Sequence, residues 1–417
     1  MKQYPLLNNR PAKIAFGFFL VAMLFLSRDT LFSSSLMGFV KSQILMFCLI
    51  LALGAVFLWV NRKDFLSILK DRRILVLITS AMIVVLPMIL KQDWQLMYFS
   101  ILLCVLTAVF LTYFTSSREV AKYYVIILTV LGLYSIFATY CLKIFAREGL
   151  INPNLFYNSK DTKFYNFWFA YVMPSSHWHR NFGIFREPGV YQFFVLLGIY
   201  LNNYTVDWDK QWKLWTCNVA LAVTMLSTFA MGGYAELALL VLFLYVDKKW
   251  YRTKIGKLAA VLALAAVIGL VGCFFYYYNR PDFARTFFYE FYDMYLRLFT
   301  ESDSRNDRLD AILVNLQFFA RNPLVGNDIA EVLHGTKHNT SSTLLLFAIF
   351  GAAGGIVHVA SWIALLWKKE RHWLGNLILL PILFLSFNTQ NLVANVFFWL
   401  FPMMALVERG LPLLKKE

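Results

Sequence analysis

The sequence predicts an all-α polytopic membrane protein, a single integral membrane domain over residues 1–417. The grounds are an apolar composition, apolar runs of membrane-spanning length, and basic residues that segregate by connection. Of 417 residues 59% are hydrophobic and 15% charged, with a mean hydropathy of +0.59. That balance excludes an ordinary soluble domain.

A spanning helix needs about 20 mostly apolar residues, and about twelve such segments occur. They lie near 12–27, 43–60, 74–90, 96–115, 123–142, 189–204, 214–231, 234–246, 258–277, 341–367, 374–387 and 392–408. The first is short, but no small-residue cleavage site follows Ser27-Arg28-Asp29, so it reads as a mature anchor and not as a signal peptide. Pro87, Pro381 and Pro402 fall inside spans, where neighbouring helices satisfy the freed backbone groups.

The net charge of +15 would suit a nucleic acid, but the distribution of the charge excludes that reading. With the amino terminus inside, about 23 of the 39 Lys and Arg fall in cytoplasmic segments, about 3 in the short external loops and about 13 in two long ones. Arg62, Lys63, Lys70, Arg72 and Arg73 lie inside, as do Lys248, Lys249, Arg252, Lys254 and Lys257, whereas Asn388-Thr389-Gln390-Asn391 lies outside without charge. Both termini are therefore expected in the cytoplasm. The five cysteines show neither a pairing pattern nor metal-ligand spacing, so no disulfide and no metal is expected.

Connections this short leave little room for chemistry except in two large external loops, 143–188 and 279–340. The first carries Phe156-Tyr157, Phe164-Tyr165, Phe167-Trp168-Phe169 and Trp178, an aromatic belt expected at headgroup depth, with one or two rings available to stack on sugar. It ends in Arg180-Asn181-Phe182-Gly183-Ile184-Phe185-Arg186-Glu187-Pro188-Gly189. Charge at the bilayer centre costs roughly 2.5 to 3.5 kcal/mol, so arginines beside a span are held at the water boundary or for a function. Pro188 at a first turn and Glu187 at the positive end of the dipole also mark a helix start.

In the second loop Phe283, Phe287, Phe288, Phe291, Tyr292, Tyr295 and Phe299 recur at helical spacing, which predicts a helix on the outer leaflet with Asp293 and Arg297 as a solvated pair. Ser302-Asp303-Ser304 caps a second amphipathic helix, whose apolar stripe of Leu309, Ile312, Leu313, Leu316, Phe319 and Ala320 ends at Arg321-Asn322-Pro323. Arg308 sits at the edge of that stripe, aimed at whatever the helix packs on or snorkelling over apolar surface. His334 and Lys337 precede His338-Asn339, directly before the tenth apolar segment.

If both loops fold over one cavity, Arg180, Arg186, Glu187, Arg305, Arg308 and His338 form a cationic site with titratable groups. Arginine forks match phosphate oxygens, so the site suits a lipid-linked phosphate or diphosphate. Loss of a glycosyl group from a diphosphate puts charge on a good leaving group that arginines can stabilise. The acceptor hydroxyl needs a general base, for which His338 and Glu187 are the candidates. Asp207-Trp208-Asp209 reads as a solvated charge cluster, Asp29 as the ion-pair partner of Arg28, and Glu236 as an intramembrane carboxylate lacking a named partner.

Two regions resemble the bacterial O-antigen polymerase and O-antigen ligase group of polytopic glycosyltransferases. One is Gly183-Ile184-Phe185-Arg186-Glu187-Pro188-Gly189, similar to the glycine, phenylalanine and Glu-Pro pattern of the polymerases, where ligases more often show Asn-Pro-Asn. The other is Ser304, Arg308, the amphipathic helix, Asn322-Pro323-Leu324-Val325-Gly326 and His338-Asn339. The family's mid-chain Ser-Arg pair has no counterpart in Leu226-Ser227-Thr228-Phe229-Ala230-Met231-Gly232. The resemblance implies a GT-C-like architecture in the bacterial cytoplasmic (inner) membrane, with no cofactor. Arg308 and an arginine of the first motif would bind the lipid diphosphate, and His338 would act as base or orient the acceptor. The implied partners are polyprenyl-diphosphate-linked oligosaccharides as donor and acceptor, membrane lipid and a chain-length regulator. A ligase acting on lipid A core and a lipid-linked oligosaccharide transporter are the alternatives, although no internal repeat relates the two halves as in many transporters.

Overall fold

The computed structural model describes residues 10–60, 71–158, 161–174, 180–278, 280, 289, 292, 303–336, 339–371 and 373–410. Each apolar segment read from the sequence contains a helix. In chain order these are α1 (Arg10–Leu26), α2 (Phe39–Val60), α3 (Arg72–Lys91), α4 (Leu96–Phe114), α5 (Ser117–Phe137), α6 (Pro188–Tyr204), α7 (Gln211–Ser227), α8 (Met231–Asp247) and α9 (Lys254–Tyr278). Then follow α10 (Asp303–Arg321), α11 (Ile329–His334), α12 (Ser342–Leu366), α13 (Trp373–Phe387) and α14 (Val396–Arg409). Local signals set several starts. Asp71 accepts from Arg73 N, Asn395 accepts from Phe397 N, and Ser116 accepts from Glu119 N, the last two residues spaced as in a capping box.

Among the described residues six helices are long and apolar enough to cross a membrane: Phe39–Val56, Arg73–Lys91, Leu96–Phe114, Ser117–Arg147, Gly256–Tyr278 and Ser342–Leu366. The other apolar helices have 14 to 17 residues. The window in α4 is 61% buried and that in α9 not at all, so α4 belongs to the centre of the bundle and α9 to its periphery.

The chain is not wholly α-helical. The first long connection folds into a three-stranded antiparallel sheet, β1 (Asn154–Tyr157), β2 (Lys163–Asn166) and β3 (Tyr171–Val172), in the order β1-β2-β3. The cause is a two-residue alternation in an aromatic-rich stretch, which places Phe156 opposite Phe164 with their rings 5.7 Å apart. Phe164 and Tyr171 join the protein core, and Phe182 closes on Phe164 at 5.4 Å. Tyr157, Trp168 and Phe169 keep the character of an exposed belt, with Trp168 80% exposed; Trp178 lies outside the described residues.

In the second long connection the helix expected over 281–300, with Asp293 and Arg297, lies outside the described residues apart from Tyr289 and Tyr292. The next helix, α10, forms where its caps and stripe predict, but it is rotated about its axis. Leu309, Leu313 and Leu316 are exposed, while Ala311 and Asn315 are buried. Arg308 therefore moves from the edge of the buried face to its middle, in line with Ala311, Asn315 and Phe319, whose ring meets Phe347 of α12 at 5.3 Å.

The turn Asn322-Pro323-Leu324-Val325-Gly326 docks into a break in α12. Gly351 has a φ of 64° within that helix, Ala352 N donates to Pro323 O at 2.7 Å, and Asn327 N donates to Ala348 O at 2.9 Å. Lys91, ending α3, donates to Asn327 O of the docked turn (2.9 Å) and to Ile349 O (2.6 Å), a carbonyl that the break releases. Hydrogen bonds thus gather the connections after α1, α3, α5, α7, α9 and α13 at one end of the bundle. At the other end Ser117 meets Glu408, Arg118 meets Asp207, and Lys368 and Asp247 meet Tyr204.

A Cβ at Gly326 (φ 75°) would stand 2.1 Å from Ile349 O, whereas one at Gly269 in α9 meets nothing within 4 Å. Gly326→Ala should therefore destabilise the protein by about 2 kcal/mol or more, against near neutrality for Gly269→Ala. Thermal unfolding of the two variants side by side checks this.

Candidate functional site

The Arg180 to Gly189 stretch is rigidly built. Asn181 is buried and donates to Ser135 Oγ (2.8 Å) and Ser227 Oγ (2.9 Å), while its Oδ1 accepts from Gly183 N. Gly183 has a φ of 55°, and a Cβ there would stand 2.6 Å from the Tyr191 ring, so glycine is required twice over. Its carbonyl accepts from Tyr171 N at 2.8 Å, which ties the stretch to β3.

The turn after α1 pairs with the next residues. Leu31 N donates to Ile184 O (2.9 Å), Arg186 N donates to Asp29 O (3.0 Å), and Thr30 and Phe185 form a β-bridge. This contact decides the partner of Asp29. Its buried carboxylate takes Arg186 Nη2 at 3.2 Å and Asn395 Nδ2 at 2.8 Å, which corrects the expectation that it pairs with Arg28. The Arg28 guanidinium instead lies 5.1 Å from the Phe39 ring centroid. Burial lowers its pKa from the usual arginine value, with Asp29 opposing and Arg186 reinforcing the shift.

Arg180 donates from Nε to Thr228 O at 3.4 Å, at the end of α7. Gln192, one turn into α6, donates to Thr228 Oγ1 (2.9 Å) and Ala230 O (2.6 Å) and fills the notch left by Gly233. Glu187 is the N-cap of α6, but its side chain makes no capping hydrogen bond. Pro188 occupies the first turn, as the sequence predicts.

Arg308 supplies the link to the second long connection. Its charge acts on Glu236, a buried carboxylate of α8 that is hydrogen-bonded to Ser386 of α13. Asn315, deeper on the same face of α10, exchanges two hydrogen bonds with Asn339 at 3.0 and 2.9 Å and anchors the chain beside position 338. His338 itself, with Lys337, lies outside the described residues, as does the side chain of Arg305. Arg180, Arg186, Glu187 and Arg308 are thus described, all at the sheet-bearing end of the bundle.

Sequence reasoning passed over the connection Asn388-Thr389-Gln390-Asn391 as merely uncharged. It is a buried polar hub. Ser341 Oγ donates to Asn388 Oδ1, Ser342 Oγ donates to Gln390 O, and Gln390 fills the space left by Gly189. The signal was available: so many amides between two apolar helices must find partners if they are buried. At the far end Asp207 pairs with Arg118 and Asp209 with Lys213, both exposed, as a solvated cluster would. There too Arg371, 5% exposed, bonds Asp247 at 2.9 Å and lies over Tyr204 and Phe243.

Comparison with protein-family profiles, with curated proteins and with solved structures finds no match to this chain. The reading of the site therefore rests on its own geometry.

Asn181→Ala should cost about 2 to 4 kcal/mol, since it strands the buried Gly183 amide and removes the two hydrogen bonds that tie the stretch to Ser135 and Ser227. A drop in melting temperature checks this, and an unchanged one would show that the stretch is not held through Asn181.

Proposed function

We propose that this chain is an inverting, metal-independent glycosyltransferase that polymerises polyprenyl-diphosphate-linked oligosaccharide repeats into O-antigen or capsular-type polysaccharide. The reaction takes place on the external face of a bacterial cytoplasmic membrane, which the chain crosses about twelve times with both termini inside. The carrying observation is Arg186, held by buried Asp29 and still 37% exposed, at the same end of the bundle as Arg308 on the buried face of α10. The resemblance to the O-antigen polymerases points the same way.

In the proposed reaction the growing chain is the donor and a sugar hydroxyl of a new repeat the acceptor. The acceptor oxygen bonds to the anomeric carbon as the bond from that carbon to the diphosphate oxygen breaks, from the opposite face. The hydroxyl proton passes to Glu187 or His338, and the lipid diphosphate leaves with its added charge on the arginines. Arg186, held by Asp29, arrives already oriented, so less reorganisation is needed as charge develops.

Reconstitution with lipid-linked repeats tests the reading. A laddered polymer is expected; transfer only to lipid A core makes the protein a ligase, and export without bond formation makes it a transporter. Arg186→Ala and Arg308→Ala should each lower polymer formation by about a hundredfold or more at unchanged protein level. Lysine at either position should restore only part of it, because the fork is lost.

A further inference from the structure

Arg28 has no part in the chemistry above, yet its surroundings are those of a ligand group. The turn Ser27-Arg28-Asp29 is fixed on both sides, by Arg186 of the first motif and by Asn395 at the start of α14. Within it Arg28 Nη1 is buried without a hydrogen-bond partner among the described residues, and so are Ser27 Oγ and, next to them, Arg186 Nε. Ser27 and Arg28 line a narrow cleft whose other walls carry Gln43, Ser100 and Cys104 among the apolar side chains of Met46, Ile50 and Leu103. Gln43 Oε1, the acceptor nearest in chemistry, is already taken by Ser100 Oγ at 3.1 Å.

The charges do not balance. Arg28 and Arg186 carry two positive charges against the single carboxylate of Asp29, and that carboxylate is engaged by Arg186 and Asn395. A buried cation with unused donors is expensive, and proteins keep such groups where something else supplies the acceptor. The required ligand is anionic, presents several oxygens and comes from the side on which Arg186 is exposed. Phosphoryl oxygens have that character, and two neighbouring guanidinium groups can hold a phosphoryl group between them.

We propose that Arg28 is a second phosphoryl-binding guanidinium beside Arg186, and that Asp29 is the positioning residue that sets the angle of Arg186 to it. Ser27, Arg28 and Arg186 then form an oxyanion subsite for one phosphate of a diphosphate. This rests on the diphosphate reading of the site and adds the turn after α1 to it.

The experiment uses the full chain in nanodiscs of neutral lipid, with inorganic phosphate, inorganic pyrophosphate and sugar-free polyprenyl diphosphate as probes. Affinity and melting temperature are read separately. Arg28→Met should weaken pyrophosphate and polyprenyl diphosphate at least tenfold and should raise the melting temperature of the ligand-free protein, because it removes an uncompensated buried charge. Arg28→Lys, which keeps the charge and loses the fork, should leave the ligand-free melting temperature near that of the wild type and still weaken binding. Tighter, Arg28-dependent binding of the polyprenyl diphosphate assigns the subsite to a lipid headgroup, and Arg28 dependence confined to the inorganic anions assigns it to a free phosphate. Unchanged affinities in both variants, or a lowered melting temperature with unchanged affinity in the folded fraction, overturn the proposal and make Arg28 structural. Arg28-dependent binding by a protein that forms no polymer would keep the subsite and remove the glycosyltransferase. Equal polymer from wild type and Arg28→Met would do the reverse.

Discussion

The carboxylate of Asp29 joins three parts of the chain that are far apart in sequence: the turn after α1, the arginine before α6, and the cap of α14. Its two oxygens take Arg186 and Asn395, and its backbone carbonyl takes the Arg186 amide, so main chain and side chain fix the same register. An unpaired buried carboxylate would be costly, which makes the arrangement close to all-or-none. The placement of α6, and with it Gln192, Glu187 and the Asn181 cluster, follows from that contact.

The remaining packing at this end obeys one constraint, that polar backbone and side-chain groups must find partners inside the protein. Close approach is achieved by removing Cβ atoms. Gly189 admits Gln390, Gly233 admits Gln192, and Gly326 and Gly351 let the turn before α11 enter the break in α12. The break frees carbonyls of α12, and Lys91 reaches across from α3 to satisfy one of them. Leucines of α10 stay outside while an asparagine goes in. The buried amide is satisfied, because Asn315 exchanges two hydrogen bonds with Asn339.

An arginine held by a buried carboxylate serves stability and reaction differently. Asp29 holds Arg186 without covering it, so that guanidinium group keeps surface at the end of the bundle that also carries Arg308. In the proposed reaction this costs some stability in the resting protein and saves reorganisation at the diphosphate. The opposite end shows the contrast, since Arg371 is enclosed by Asp247, Tyr204 and Phe243 and acts as a strut.

The sequence by itself determined the helices, because twelve-odd apolar runs, their caps at Asp71, Ser116 and Asn395, and Pro188 at the start of α6 are local matters of period and hydrogen-bonding type. It also singled out Arg186, Glu187 and Arg308, since charge beside apolar helices is conspicuous in one dimension. It did not carry the sheet within the first long connection, whose period-two pairing was masked by adjacent aromatics (Phe156-Tyr157, Phe164-Tyr165). Nor did it carry the partner of Asp29, the buried role of Asn388 and Gln390, or the rotation of α10. Those were decided by tertiary structure alone, because which polar groups meet depends on contacts between residues far apart in the chain.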